Sequence, residues 1–259
     1  DIKLENNPPY TYYLKNGSVS GIFPDILNQI CEITGLECQI ISQEDETWSS
    51  MFSDLKENRI DVLGPVTKSA EREEILYFSE LIILSNYYMV KRNDYSTKYN
   101  ALYQLAFEKI GLVENDFKSE IIEKQFPNKN FTYYQNNSDL IIGLIENEVD
   151  YIMLNDNVYY DYVIKQNEFS ISIDSRIEPF SSEIAYAFPK TEEGSKLAYL
   201  FSLSLSTMDT SKIVEDYLVQ FNLTKYYQDY RISSIIASIT FISIIAVLLV
   251  LQALFFRFN

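Results

Sequence analysis

Histidine is absent from the 259 residues, and cysteine (2), tryptophan (1), glycine (7) and proline (7) are all scarce. Without imidazole, the Ser-His-Asp and Cys-His modes of nucleophilic catalysis are lost, together with the commonest transition-metal ligand. That argues against a hydrolase, and the sequence implies no cofactor and no metal. Positive charge is also short: 21 Lys and Arg stand against 37 Asp and Glu, for a net charge of −16. A surface of this sign repels phosphate backbones and anionic headgroups, which argues against nucleic acid as a partner. The same charge also serves simply to solvate a soluble surface. The two cysteines, Cys31 and Cys38, lie seven residues apart. A disulfide in an extracytoplasmic compartment and a pair of buried thiols both fit them.

What the chain does have is apolar and aromatic content, 47% and 15% respectively, enough to exclude disorder and to build a core. It also has one long uncharged run, the 25 residues 232–256. As a helix this run reaches roughly 37 Å and crosses a hydrocarbon core of about 30 Å with some tilt. A transmembrane helix is expected there, with Tyr226, Tyr227 and Tyr230 before it and Phe255, Phe256 and Phe258 at its end. A buried core helix is the plainer alternative. Residues 225–231 then read as a juxtamembrane linker, and the preceding part as a domain held at the membrane surface. The sequence opens at Asp1 without an initiator Met and stops three residues after the run. A trimmed leader or first span, and a cytoplasmic part starting at 257–259, are the expectations that follow.

The first stretch reads as strand, turn and helix. Residues 10–14 alternate, Asn16-Gly17 is a turn signal, and Gly21-Ile22-Phe23-Pro24-Asp25 opens a helix carrying Ile26, Leu27, Ile30 and Ile33. Gly35 ends it, and residues 36–42 are the next strand. Trp48, Met51, Phe52 and Leu55 fall at helical spacing before a strand at 60–63. Strand, helix, strand predicts an α/β sheet. One junction then recurs: Leu55-Lys56-Glu57-Asn58-Arg59-Ile60-Asp61 is echoed by Leu144-Ile145-Glu146-Asn147-Glu148-Val149-Asp150. Two α/β lobes, each with its own copy, account for the repeat. Between the copies, 87–92 reads as a strand leaving the first lobe, 105–113 as a new unit with Gly111 at a bend, and 131–134 as a strand. Ser138 is the expected N-cap of a helix over 140–145. Residues 184–188 re-enter the first lobe, and helices are expected over 195–205 and 210–221.

Thr67-Lys68-Ser69-Ala70-Glu71-Arg72, with Tyr77-Phe78-Ser79-Glu80 shortly after, follows a strand expected to end near Gly64. Ligands of open α/β sheets bind outside the carboxyl ends of strands. Thr67 and Ser69 offer hydroxyls there, and Arg72 offers a planar fork suited to a carboxylate. Taken alone, an Arg in an Ala-Glu-Arg-Glu-Glu stretch is more often a solvated helix residue.

These motifs, with Pro8-Pro9-Tyr10, Gly21-Ile22-Phe23-Pro24-Asp25, Trp48, Arg59-Ile60-Asp61 and Glu148-Val149-Asp150, make residues 7–221 resemble the family 3 extracytoplasmic solute-binding proteins. The resemblance implies an α/β, two-lobed, periplasmic-binding-protein-like (Venus flytrap) fold, here followed by one C-terminal transmembrane helix. Its lobes would be 1–92 with 181–224, and 93–180, joined by crossings near 91–95 and 178–183. It implies a small carboxylate-bearing solute such as an amino acid, held by Arg72 with help from Thr67 and the backbone near Pro65, with the Ser69 hydroxyl beside them. Tyr10, Trp48 and Met51 would supply the walls, ordinary core packing being the alternative for each. Where amino-acid-binding members place an Asp for the ligand amine, this chain has Asn155, with Asp156 next to it. That departure puts an α-amino acid ligand in question, since a neutral amide does not neutralise an ammonium.

With a terminal span attached, the chain is similar to the sensory domains of bacterial transmembrane receptors, which precede histidine kinases or cyclic-dinucleotide enzymes and signal by lobe closure. The membrane is then a partner through the C-terminal helix, a homodimer of the full-length receptor is compatible, and this segment is itself no enzyme. The alternative is a membrane-tethered solute-binding protein of an ABC-type amino-acid importer.

Overall fold

The computed structural model describes residues 1–97, 99–165, 168–218, 235–236 and 238–244. Asp1–Leu218 form one compact unit, and Val219–Asn259 a second. In the second unit, 235–236 and 238–244 are helical, with the Thr240 hydroxyl donating to the Ile236 carbonyl. Among the described residues no helix is long and apolar enough to cross a membrane. The linker at 225–231 and most of the run at 232–256 lie outside the described residues.

The first unit opens with β1 (Ile2–Leu4), a hairpin of β2 (Tyr12–Tyr13) and β3 (Val19–Ser20), and α1 (Ile22–Thr34). Pro24 suits the first turn of α1, where no N–H partner is needed. Ile22, Phe23, Ile26, Leu27 and Ile30 bury one face of the helix, and Gly35 closes it at φ 70° with its N–H on the Cys31 carbonyl. Cys31 and Cys38 form a disulfide with Cα atoms 6.2 Å apart. Instead of the expected strand over 36–42 there is a single bridge, Ile2 to Ile40, because β1 offers this flank pairing at Ile2 alone.

Next come α2 (Trp48–Lys56), β4 (Val62–Thr67), α3 (Ala70–Ile75), β5 (Leu76–Phe78) and the ten-residue β6 (Ile83–Arg92). The chain then builds β7 (Ile110–Val113), α4 (Phe117–Gln125), β8 (Thr132–Tyr134), α5 (Asn137–Ile145), β9 (Tyr151–Asn155), α6 (Asp156–Lys165) and β10 (Ile171–Ile173). It returns through the ten-residue β11 (Phe180–Pro189) to α7 (Glu192–Thr207) and α8 (Ser211–Tyr217).

Nine strands among the described residues share one sheet, in the path β1-β4-β11-β6-β9-β7-β8 with β5 on β11 and β10 on β6. β1 and β4 run parallel at one end, and β9, β7 and β8 run parallel at the other. The long antiparallel pair β6 and β11 joins these ends, giving two α/β lobes linked by two crossings. The second lobe has its own core of Tyr87, Met89, Leu105, Ile110, Leu112, Phe117, Ile122, Tyr151 and Met153.

The repeated junction has a structural cause. Asn58 and Asn147 adopt φ 57° and 66°, the left-handed conformation that ends a helix and that Asn tolerates better than most residues. Each is followed by a closing backbone bond, Arg59 N–H to Asp54 O at 2.8 Å and Glu148 N–H to Gly143 O at 2.9 Å. Each Asp then ties the joint to the residue preceding the parallel neighbour strand: Asp61 N–H meets Asp1 O, and Asp150 N–H meets Lys109 O.

Several boundaries differ from expectation. β4 continues past Gly64 to Thr67, so Pro65 and Thr67 sit on the strand itself. Pro65 has no N–H for the ladder, and the β4–β11 register shifts between Ala185 and Ala187 at this point. Gly111 lies inside β7 rather than at a bend, and the glycine there answers to packing, since a Cβ would sit 2.8 Å from Leu140 Cδ1. The N-cap of α5 is Asn136, whose side chain accepts from Asp139 N–H at 2.8 Å, rather than Ser138. α8 stops at Tyr217, where Leu218 turns into the core in an extended conformation, so the helix expected over 210–221 is shorter.

Candidate functional site

The carboxyl end of β4, the first turns of α2 and α3, and the start of α4 meet where the two lobes face each other. Ser69 caps α3 by accepting from Arg72 N–H at 3.2 Å, which turns the third helical residue inward. Arg72 is 2% exposed. Its Nη1 donates to the Thr67 carbonyl at 3.3 Å, and its guanidinium carbon lies 5.5 Å from the Trp48 ring and 5.1 Å from Phe52. The remaining donors reach the second lobe. Nε and Nη2 both approach Glu120 Oε1, at 3.1 and 2.8 Å, and Nη2 also donates to the Asn115 carbonyl at 3.1 Å. A carboxylate therefore already lies against the fork, and it belongs to α4.

Other contacts close the same seam. Trp48 Nε1 donates to Asn115 O at 2.8 Å, and Asn115 Nδ2 to Ser49 Oγ at 2.7 Å. Asn137 Nδ2 donates to Asn7 Oδ1 at 3.2 Å. Lys118, 4% exposed, pairs with Asp116 and donates to Asn137 Oδ1 at 3.1 Å. An opening of about 230 Å³ lies between the lobes at Glu5, Trp48, Gln135, Asn136 and Ser138. The cavity beside Arg72 itself is about 20 Å³ and is lined by Glu5, Asn7, Tyr10, Trp48, Pro65, Thr67, Arg72, Tyr87, Asp116, Lys118, Asn155 and Ile184. That is room for one water, far below the several hundred Å³ of a usual ligand pocket.

The residues singled out in the sequence divide. Tyr10, Trp48, Pro65, Thr67, Arg72 and Asn155 all line this cavity. Thr67 Oγ1 lies 2.7 Å from the Tyr87 hydroxyl. Asn155 spends its side-chain Oδ1 accepting from the Val158 N–H at 2.8 Å, at the start of α6. Ser69 acts through the helix cap. Met51, 1% exposed, packs in the core of the first lobe. Asp156 faces the crossing strand β6, accepting from Ser85 Oγ at 3.0 Å and Asn86 Nδ2 at 3.2 Å. Tyr10 joins the same region, with its hydroxyl 3.4 Å from Ser85 Oγ and accepting from Asn157 Nδ2 at 3.1 Å. Burial pushes the Tyr10 and Tyr87 phenols above their ordinary range, so both stay protonated.

Glu5, Asn7, Tyr87, Asp116, Lys118 and Glu120 were not anticipated. The repeat held a signal for the α4 group: it makes β9 the counterpart of β4 and β7 the counterpart of β1, so the segment after β7 faces the cleft as Glu5, Asn7 and Tyr10 after β1 do.

Glu5 is the group whose charge this closed cleft tolerates least. Burial, and after it the Asp116 carboxylate, push its pKa up to about 8, while Lys118, the Asn7 amide and Arg72 pull the other way. A carboxyl raised in the fold contributes stability that is complete below the unfolded value near 4.5 and is lost as pH rises through about 8. Denaturant midpoints are expected to fall between pH 5 and 8.5 by the equivalent of about 2 kcal/mol, discounted for the partial exposure of Glu5, and Glu5→Gln to flatten that slope. An unchanged slope in the variant assigns the dependence to other groups.

The family model of bacterial extracellular solute-binding proteins, family 3, matches residues 2–220. The virulence sensor protein BvgS of Bordetella bronchiseptica is 22% identical over 179 residues, 69% of this chain and 14% of that protein, so the chain spans about one seventh of this relative. The solved VC protein is 34% identical with a TM-score of 0.68, over 83% of this chain and 48% of that one. A solved histidine kinase sensor domain with similarity to periplasmic binding proteins has a TM-score of 0.75 at 21% identity, over 84% of this chain and 94% of that one.

Proposed function

Because the chain belongs to the bacterial extracellular solute-binding proteins, family 3, we propose that it is the extracytoplasmic sensor domain of a transmembrane signalling receptor, with the interlobe cleft around Arg72 as its input site. The single observation that carries this reading is the buried guanidinium of Arg72, anchored on the first lobe and hydrogen-bonded to Glu120 and Asn115 of the second. Whatever occupies that fork sets the arrangement of the lobes, and lobe arrangement is the quantity a receptor transmits. The likeness to a sensor protein and to a histidine kinase sensor domain supports the same reading.

The solute class is a small carboxylate-bearing molecule, such as an amino acid, met by Arg72, Thr67 and the backbone near Pro65. The lobes are 1–92 with 181–224, and 93–180. Residues 232–256 are the membrane span, with Arg257 on the cytoplasmic side and a kinase or cyclic-dinucleotide output domain beyond it.

The test is a thermal-shift screen of the chain against amino acids and small carboxylates. At 100 times its Kd a solute adds about 2.7 kcal/mol, which moves the melting temperature of a domain this size by about 5–10 °C. Arg72→Lys keeps the charge but loses the fork, and is expected to abolish the shift. A hit unaffected by this substitution places the carboxylate elsewhere.

A further inference from the structure

Two charges of opposite sign enter the cleft from one helix. The Lys118 ammonium lies among Asp116, Asn137 and the cavity that Glu5 and Asn155 also line, and the Glu120 carboxylate lies against the Arg72 fork. A small zwitterion presents the same two groups, one ammonium and one carboxylate, to a site of this kind. Lys118 is the more firmly held, while the Glu120 side chain is 29% exposed and is anchored by Arg72. Lys118 is 4% exposed, and the next residue, Ser119, 1% exposed, fixes the start of α4 by donating from its hydroxyl to the Val113 carbonyl at 2.5 Å. Space agrees with charge, since the cavity left beside these groups holds no more than a water.

We propose that α4 is the resident ligand of its own cleft: Lys118 and Glu120 take the two charge positions of a small zwitterion, Glu120 holds the lobes closed through Arg72 without solute, Lys118 supports that closure by orienting Asn137 toward Asn7 of the first lobe, and both must be displaced before a solute reaches Arg72. The proposal rests on the reading of the cleft as the input site and deepens it by reversing the expected response. A solute that competes with contacts made only in the closed state favours the open one, because a ligand shifts an equilibrium by its differential affinity for the two states. The resting domain is then closed, and binding loosens it. The neighbouring interlobe pair, Lys124 with Glu71, is about 60% exposed on both sides and adds little to closure. Glu120 on Arg72 is the contact that matters, with Lys118 acting through Asn137 and its bond to Asn7.

The test uses the full chain with nitroxide labels at Lys56→Cys and Asn128→Cys, exposed positions on the two lobes, with the native disulfide kept oxidised. Interlobe distances are measured by electron–electron double resonance, with and without an equimolar mixture of L-amino acids at millimolar concentration. The expected result without solute is one short, narrow distance for the labelled chain. For Lys118→Met/Glu120→Gln a longer and broader distribution is expected, and the single isosteric variant Glu120→Gln, checked for native circular dichroism, should be intermediate. A double variant as short and narrow as the parent overturns the proposal. So does a parent chain that is open alone and shortens on adding the mixture, a result that upholds the cleft as a solute site. If neither chain responds to the mixture, the solute-binding reading suffers, while the two unliganded distances still decide between closure by α4 and its absence.

Discussion

Replacing Arg72 by methionine lowers the unfolding free energy by about 3 kcal/mol, the lower end of what removing one partner of a buried ion pair costs. Methionine fills much of the volume between Trp48 and Phe52, so packing changes little. What is lost is electrostatic. The Thr67 and Asn115 carbonyls lose a charged donor, and Glu120 loses its counter-ion. The penalty stays at the lower end because the Glu120 side chain is 29% exposed and regains water as the cleft loosens, whereas the Arg72 side chain is 3% exposed. The denaturant midpoint of the variant gives the number. A double-mutant cycle with Glu120→Gln is expected to return a coupling above 1 kcal/mol, in the range found for residues sharing a network. Additive losses would mean that the two side chains do not sense each other.

Gly21→Ala is expected to be equally severe for a different reason. Gly21 sits at φ 127° and ψ −177°, a region that is essentially glycine-only and costs an L-residue about 1–3 kcal/mol. A Cβ there would lie 2.6 Å from Tyr10 O and 2.9 Å from Thr11 Cα, and both are backbone atoms, so no rotamer change relieves the clash. The two effects together cost about 3–4 kcal/mol and lower the melting temperature by about 10 °C. Gly17 is the control. It also has a positive φ, 81°, but a Cβ there meets nothing within 4 Å, so Gly17→Ala carries only backbone strain. A Gly21→Ala melt no lower than that of Gly17→Ala would refute the steric argument. The substitution also bears on the cleft, because Tyr10, whose carbonyl it strikes, presents its hydroxyl to Ser85 and Asn157.

The sequence made the frame legible where local chemistry and tertiary role coincide. Glu57-Asn58 and Glu146-Asn147 recur because each lobe ends a helix with a left-handed Asn before a strand, and such a cap is a local event written in adjacent residues. Gly21-Ile22-Phe23-Pro24-Asp25 announced α1 for the same reason. Arg72 was singled out through its place after a strand. Its partner was not, because Glu120 is 48 residues away and on another lobe, a contact created by topology. Met51 was offered as a cleft wall by the family resemblance, with core packing as the alternative, and the structure places it in the core. Trp48 opens α2 at the cleft, while Met51, three residues on, turns inward. Asp156 was weighed as a ligand for an ammonium, and the structure places it on the crossing strand, where Ser85 and Asn86 satisfy it. The strand expected over 36–42 shrank to one bridge because alternation reports a tendency to pair, while the neighbour decides how many partners there are.

Trp48 offers the most direct test of whether the cleft closes on the chain's own contacts about Arg72. It is the single tryptophan of the chain, is 4% exposed, and its indole N–H donates across the seam to Asn115. Acrylamide quenching of its fluorescence in the solute-free chain is expected to be weak, with blue-shifted emission, as for an indole shut between two lobes. Strong quenching without solute, falling when amino acids are added, would contradict the account.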